Sequence, residues 1–453
     1  MQSGFETEEA ILKFTVQFTG QGFITMEEKI MKKLLCVILS AVTAVSLAAC
    51  GSSGTTATTA KAAAAGTTAA KAAAATTAKA AASTTKAAAA GTTAKAGASS
   101  GAAIKIGGIG PLTGPVSVYG KAVKNGEELA VKEINAKGEV KLELKFEDDE
   151  HDAEKSVNAY NTLKDWGMQI LAGPVTTTPT LAVAAEAAKD KIFELTPSAS
   201  AQAVIESGDN VFQICFTDPN QGVASADYIA TKKLASKIGV IYDSSDAYSS
   251  GIFEKFKTES ASKGLTIVAS ESFTSDNKTD LSTQVTKCKD AGAELIFLPM
   301  YYTEATQILT YANKIGYAPK FFGCDGLDGI LNVEGFDKKL AEGVMLLTPF
   351  AADSTDEKTK NFVKAYTEAY GDKPNQFAAD AYDVIYSIAQ AAKTGKVTSS
   401  MKATDITKVM IEQFTSMKFD GLTGTKMTWD KSGAVSKEPK AVSIKNGSYA
   451  AMD

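Results

Sequence analysis

Apolar and polar positions in this chain fall into two successive blocks of alternating strand and helix patterns, preceded by a long stretch that has neither. The first block opens at Ile104 with "IKIGGIG", a short β run, and Lys121 to Ala136 then carries Val123, Leu129, Ala130 and Ile134 at helical spacing. "KLELKF" alternates, with Leu142, Leu144 and Phe146 on one face. Helical spacing resumes near Asp152 to Trp166, followed by "QILAG", a helix from about Pro179, "KIFEL" and "VFQICF". After Asp218-Pro219 the alternation restarts with "IGVIYD", a helix from about Ser249, and "LTIVASESF". A helix near Leu281 to Ala291, "ELIFLPM", a helix near Glu304 to Ile315 and "KFFG" complete the second block.

Strands separated by helices imply parallel sheets with right-handed crossovers. Two such series predict an α/β protein of two doubly wound lobes. Ligands of such lobes bind beyond the carboxyl ends of the strands, so a shared cleft would bring those ends face to face.

The region before Ile104 reads as an address and a tether. "MKKLLCVILSAVTAVSLAAC", Met31 to Cys50, has Lys32 and Lys33, an apolar run from Leu34 to Val45, and a Leu47-Ala48-Ala49-Cys50 ending. The run is short for a membrane span. The ending resembles a bacterial lipobox, which implies a signal peptide at 31–49 and a diacylglyceryl group on Cys50 as the mature N-terminus. Two or more acyl chains anchor stably where one does not. An ordinary signal peptide cleaved elsewhere is the alternative. Residues 1–30 match neither signal nor domain and are read as a mis-called extension. From Gly51 to about Ala103 the chain uses almost only Ala, Thr, Lys, Gly and Ser, which builds no core; residues 50–103 are read as a lipidated cysteine and a solvated linker.

Composition removes several function classes. The chain has 453 residues, 44% of them hydrophobic, enough for two lobes. Its net charge of -5 is spread in mixed blocks without a basic stripe, which argues against nucleic-acid binding. His151 is the one histidine, so histidine-based catalysis and multi-His zinc sites are poorly supported. The five cysteines form no CxxC pair. "GGIGPLTG" misses the dinucleotide pattern, because Thr113 stands where the third glycine is required. "EDDEHD", Glu147 to Asp152, is read as a solvated rim of the cleft, with a metal site as the alternative.

Several motifs together reach a family. "IGGIGPLTGPVSVYG", "GEELAVKEINAKG", "AGPVTTTPT", "LTPSAS", "IGVIYDSSDAYSSG", "FGCDG" and "MTWDKSGA" occur in this order from Ile104 onward. The set resembles the branched-chain amino-acid binding proteins of ABC transporters, which are type I periplasmic binding proteins. The resemblance implies two Rossmann-like lobes joined by three crossovers, near Thr217 to Asn220, Leu347 to Phe350 and Gly424 to Asp430. The first lobe would comprise 104–218 plus about 350–425, the second about 219–349 plus 426–453. A ligand would bridge the lobes and be buried by hinge closure.

The resemblance also implies a clamp for an α-amino acid. Thr177 and Thr178 stand where the family has carboxylate-binding serines, between a strand and a helix; Ser200 matches another carboxylate contact, and Ser198 would contribute mainly its backbone. Read without the resemblance, these hydroxyls are helix caps. Asp325 stands where the family has an acid, often Glu, that holds the ligand's ammonium; alone it is an acid in a Gly-rich turn. Tyr248 and Tyr301 match contacts from the second lobe, with Tyr302 as the alternative register. Tyr119 matches a wall of the first lobe, and Phe377 is a further wall. Some family members carry a disulfide near the first cleft loop. The matching positions here are His151 and Thr176, so none is expected, and Cys215, Cys288 and Cys324 are expected to be free thiols.

The resulting expectation is a monomeric, lipid-anchored solute-binding protein without metal or cofactor, outside the cytoplasmic membrane of a Gram-positive-type cell, that delivers a small neutral amino acid to a permease. An amide, urea or carboxylate binder of the same fold, a ligand sensor acting on a receptor, and an α/β enzyme are the alternatives. From Ile104 onward the chain lacks the G-x-S-x-G elbow that a hydrolase of this class would need.

Overall fold

The computed structural model describes residues 102–452. Residues 1–30, the signal segment 31–49, Cys50 and all but the end of the linker lie outside the described residues.

Five strands form the first sheet: β1 (Ile104–Gly110), β2 (Leu142–Asp148), β3 (Ile170–Ala172), β4 (Phe193–Thr196) and β5 (Val211–Gln213). They run parallel in the order β2-β1-β3-β4-β5. Between them run α1 (Ser117–Lys137), α2 (Ala153–Trp166), α3 (Thr177–Asp190) and the short α4 (Gln202–Ile205). β3, β4 and β5 are buried at every position; β3 reads as a continuous apolar run, whereas β4 and β5 also bury Glu194, Thr196 and Gln213.

The chain then crosses to the second lobe through α5 (Asp218–Thr231), capped by the Thr217 side chain. There β6 (Lys237–Asp243), α6 (Ala247–Ser262), β7 (Thr266–Phe273), α7 (Ser282–Asp290), β8 (Leu295–Leu298), α8 (Tyr302–Lys314), β9 (Lys320–Gly323) and β10 (Met345–Thr348) follow. α9 (Glu357–Tyr370), α10 (Gln376–Thr394) and α11 (Ala403–Phe414) come next, and β11 (Lys440–Lys445) and β12 (Ser448–Ala451) end the chain. The second sheet has the order β12-β11-β10-β9-β8-β6-β7, in which β11 and β12 are the antiparallel members.

α10 and α11 return to the first sheet. Val384, Ile385 and Ile388 of α10 and Met410 and Phe414 of α11 share a core with Ile106, Phe193 and Phe212. α10 lies close along α1, and Gly126 permits it, since an added Cβ there would overlap the Ala378 carbonyl.

The last crossing comes later than Gly424 to Asp430. Met427, Trp429 and Val435 are buried in the first lobe's core. Trp429 Nε1 donates to the Gln213 carbonyl at 2.8 Å, and Gln213 N donates to the Gly433 carbonyl at 3.1 Å. Residues 426–435 therefore pack with the first sheet, because three large apolar side chains have their burial there, and the crossing follows Val435.

Lys437 fixes that crossing. Its Nζ donates to Asp380 Oδ1 of α10 at 2.7 Å and to Thr423 Oγ1 at 2.6 Å, and the ion pair is 1% and 3% exposed. Removing one member of a buried pair leaves an uncompensated charge, a loss of roughly 3–5 kcal/mol. Lys437→Met should lower unfolding stability in urea by about that amount. The Lys437→Met/Asp380→Leu double variant should recover most of it, and a double variant as unstable as the single one would contradict this account.

Candidate functional site

The carboxyl ends of the two sheets face one another across a seam, and a small cavity lies in it. The first lobe contributes Tyr119 from α1, Thr177 from the start of α3, Ser198 after β4, and Phe377 from the first turn of α10. The second lobe contributes Tyr248 from α6, Tyr301 just before α8, and Asp325 just after β9. Asp325 is the one carboxylate on this lining, and no lysine stands there.

The cavity has an apolar body and two polar ends. Tyr248 and Tyr301 stack with centroids 5.0 Å apart and planes 5° from parallel, while Tyr119 packs on Phe377 at 4.3 Å. At one end α3 begins at Thr177, and the leading N–H groups of a helix have no intrahelical acceptor, which gives that end partial positive charge. The threonine run provides no side-chain cap: Thr176 at the N-cap makes no capping bond, and Thr180 Oγ1 turns back to the Thr176 carbonyl at 2.8 Å. At the other end Asp325 is 5% exposed and accepts from the Tyr248 hydroxyl at 2.6 Å. Burial pushes its carboxyl up to about 7, against the pull of the hydrogen bond from the Tyr248 hydroxyl. Gly326 lets this turn approach α6, because an added Cβ would meet the Tyr248 hydroxyl and the Met300 carbonyl at 2.7 Å.

The expected residues do not all reach this cavity. Thr178 lines a wider outer chamber with His151, Asp246, Lys278 and Glu304. Ser200 is fully buried but away from the cavity wall, and its hydroxyl accepts from Gln221 Nε2 at 3.4 Å. Ser198 directs its hydroxyl to the Val175 carbonyl at 2.6 Å, and its N–H lies 3.3 Å from Thr196 Oγ1. Tyr301 is the cavity residue, whereas the Tyr302 hydroxyl accepts from Val118 N at 3.2 Å.

"EDDEHD" is not simply solvated. Asp149 is fully buried and accepts from His151 N at 2.9 Å; Asp148 accepts from Leu112 N at 2.8 Å and Thr113 Oγ1 at 2.7 Å; Asp152 caps α2. The loop's carboxylates are bound to its own backbone and neighbours. Among the described residues, no group of three His, Cys, Asp or Glu side chains could hold a metal ion. His151 Nδ1 and Thr176 Oγ1 lie 2.8 Å apart, so a hydrogen bond joins the two positions that the family resemblance pairs. Burial, and then Lys278, push His151 down to about 4, which leaves it neutral near pH 7. Cys215, Cys288 and Cys324 are free and buried.

Two glutamines that carry no motif hold the Asp325 turn. Gln221 Oε1 accepts from Asp325 N at 3.1 Å. Gln376, at the start of α10, donates from Nε2 to the Asp325 carbonyl at 2.8 Å and from its backbone N to Asp328 Oδ2 at 2.9 Å. With the Tyr119 hydroxyl on the Gly326 carbonyl, these bonds tie the second lobe's turn to the first lobe. The space left for a solvent centre is about 10 Å³, roughly one water molecule, so a ligand enters by parting these walls.

A family model described as periplasmic binding protein matches residues 103–448. The chain belongs to the periplasmic binding protein family. "Leu/Ile/Val-binding protein homolog 3" of Brucella melitensis is 35% identical over 230 residues, which cover 50% of this chain and 62% of that protein. The Rhizobium johnstonii "Leu/Ile/Val-binding protein BraC3" is 31% identical over the same shares of each chain. This chain therefore spans less than two thirds of the length of those relatives. The branched-chain amino acid transporter substrate binding protein LivJ from Streptococcus pneumoniae, solved in complex with isoleucine, superposes with a TM-score of 0.70 at 27% identity, over 77% of this chain and 98% of that one. The architecture is that of a type I periplasmic binding protein, two α/β lobes with the cavity between them.

In such a protein the interlobe bonds set how readily the lobes part. Gln376→Ala leaves the Asp325 carbonyl unpaired when the lobes are together, at a cost of about 1–3 kcal/mol. The ligand-free variant should therefore show a larger radius of gyration in solution scattering than the parent. An unchanged radius would contradict the role given to Gln376.

Proposed function

We propose that this periplasmic binding protein captures a small neutral α-amino acid of the leucine, isoleucine and valine class outside the cytoplasmic membrane and delivers it to an ABC permease. One observation carries the reading: the only carboxylate on the cavity wall is buried, lacks a basic partner there, and faces a cavity whose other end is a helix N-terminus. An α-amino acid supplies what both ends need, an ammonium for Asp325 and a carboxylate for the start of α3. The aromatic walls suit an aliphatic side chain and offer no charge to an ionic one. An amide or a simple carboxylate would leave Asp325 without a cation. The names of the relatives and the isoleucine complex of the Streptococcus pneumoniae protein support the same class of ligand. Thr177, Ser198, Tyr119, Tyr248, Tyr301 and Phe377 are assigned to the contact surface, with Thr178 at its outer edge. The protein acts as a monomeric carrier and not as an enzyme.

Protein refolded from denaturant, to remove carried-over ligand, should gain melting temperature with branched-chain amino acids by mass action. Asp325→Ala should weaken their binding by roughly 2–5 kcal/mol, and unchanged affinity would remove Asp325 from the site. The pH dependence has a definite sign. The free protein's Asp325 titrates at about 7, and a bound ammonium lowers that value. Affinity should therefore fall as pH drops below 7, by up to about tenfold per pH unit. A flat profile from pH 5 to 8 would contradict the ion pair.

We further propose that Cys50 carries the lipid anchor and that the Ala/Thr/Lys segment tethers the lobes to the outer face of the membrane. Mass spectrometry of the native protein should find diacylglyceryl on a peptide that begins at Cys50. A mature N-terminus elsewhere would overturn this.

A further inference from the structure

The outer chamber is a part of the seam that the proposed ligand contacts leave unused. It has about 350 Å³ of solvent space, against about 10 Å³ in the inner cavity. It lies where β6 ends at Asp243, where β7 ends at Phe273, and where the chain leaves β8 through Met300. In the order β8-β6-β7 the chain departs from β6 to one side and resumes on the other. Such a switch point opens the crevice in which doubly wound sheets take ligands. Tyr301 is the one residue, among those described, that lines both spaces. Its ring stacks on Tyr248 of the inner cavity at 5.0 Å and meets Tyr119 edge-on at 5.8 Å. It also meets the His151 ring of the outer chamber at 5.5 Å and 85°. His151 is in turn bonded to Thr176 of the inner wall at 2.8 Å. A single side chain therefore closes one space against the other at this point, with the His151–Thr176 bond beside it.

We propose that Tyr301 is a specificity-determining residue: its ring is a partition that ends the ligand cavity, and it excludes long basic amino acids by length although the space behind it has the charge to receive them. The chamber wall carries Asp243, Asp246, Asp276 and Glu304 against a single lysine, Lys278. Lys278 is engaged with Glu304 at 2.9 Å. Asp243 is occupied by the N–H and the hydroxyl of Ser245, at 2.8 and 2.6 Å. Asp246 Oδ1 is buried with no hydrogen-bond partner among the described residues, and the Tyr301 hydroxyl lies beside this carboxyl. A cationic group that passed the ring would meet Asp246 next to it, and a carboxylate withdrawn from water favours such a partner. The inner lining offers no charge apart from Asp325, which the ligand's α-ammonium takes. The stack on Tyr248 and the edge contacts with Tyr119 and His151 hold the ring on three sides, so a side chain that needs the chamber must displace it.

The inference rests on the amino-acid reading, and its test separates the two. Calorimetry at pH 8 compares norleucine with lysine, which adds a terminal ammonium to the same straight side chain. The parent protein should favour norleucine. Tyr301→Ala should move the ratio of the two affinities toward lysine by about tenfold or more. Tyr301→Phe keeps the ring and should leave the ratio as it is in the parent. Adding Asp246→Asn to Tyr301→Ala should reverse part of the gain. Tyr301→Leu opens a smaller gap and keeps the test available if Tyr301→Ala fails to fold. Equal weakening of both ligands in the folded variant without the ring would make Tyr301 a contact only and overturn the proposal. If the parent binds neither amino acid, the ligand reading fails, and the ligand-free crystal structure of that variant decides the partition by itself. One continuous space through position 301 supports it, and Tyr248 or His151 fallen into the gap overturns it.

Discussion

A carboxylate withdrawn from water must find a cation or a proton, and Asp325 sits where the two lobes of this protein make that choice. Its turn is held by Gln376 from the first lobe, Gln221 at the passage and Tyr248 from its own lobe. Without a cation, burial raises the acid to about 7, so near neutral pH it is poised between its two forms. An ammonium resolves that frustration in favour of the charge. Binding energy and lobe closure become coupled because the same turn holds the acid and meets the opposite lobe.

The rest of the fold serves that meeting. Parallel sheets direct their carboxyl ends, and so the loops that carry Thr177, Ser198, Tyr301 and Asp325, toward one seam. α10 returns to the first lobe by close packing on α1 and brings Gln376 and Phe377 to the cavity wall. The last crossing is held by the buried Lys437–Asp380 pair on that same helix. Elements far apart in sequence are thereby fixed relative to the site by a few buried polar bonds.

Much of this is legible in the sequence because buried parallel strands read as apolar runs and the helices between them keep their spacing. The order of motifs from "IGGIGPLTG" to "MTWDKSGA" identifies the fold, and the structure brings Tyr119, Thr177, Ser198, Tyr248, Tyr301, Asp325 and Phe377 together. The sequence is silent where function depends on reach and not on residue type. Thr177 and Thr178 are adjacent and chemically identical, yet the first turn of α3 sends one to the inner cavity and the other to the outer chamber. Ser200 matches the motif but is engaged with Gln221. Gln221 and Gln376 are ordinary polar residues in helix starts until the fold carries Asp325 to them. The last crossing is misread at Gly424 because Trp429 finds its burial on an edge that only the folded sheet provides.

The central claim is that the cavity recognises an ammonium through Asp325, and the most direct test compares leucine with 4-methylpentanoate by calorimetry. The two share the carboxylate and the side chain and differ by the amino group. Leucine should bind at least about 100-fold more tightly at pH 8, because the other acid leaves Asp325 buried and unpaired. Equal affinities would contradict the account.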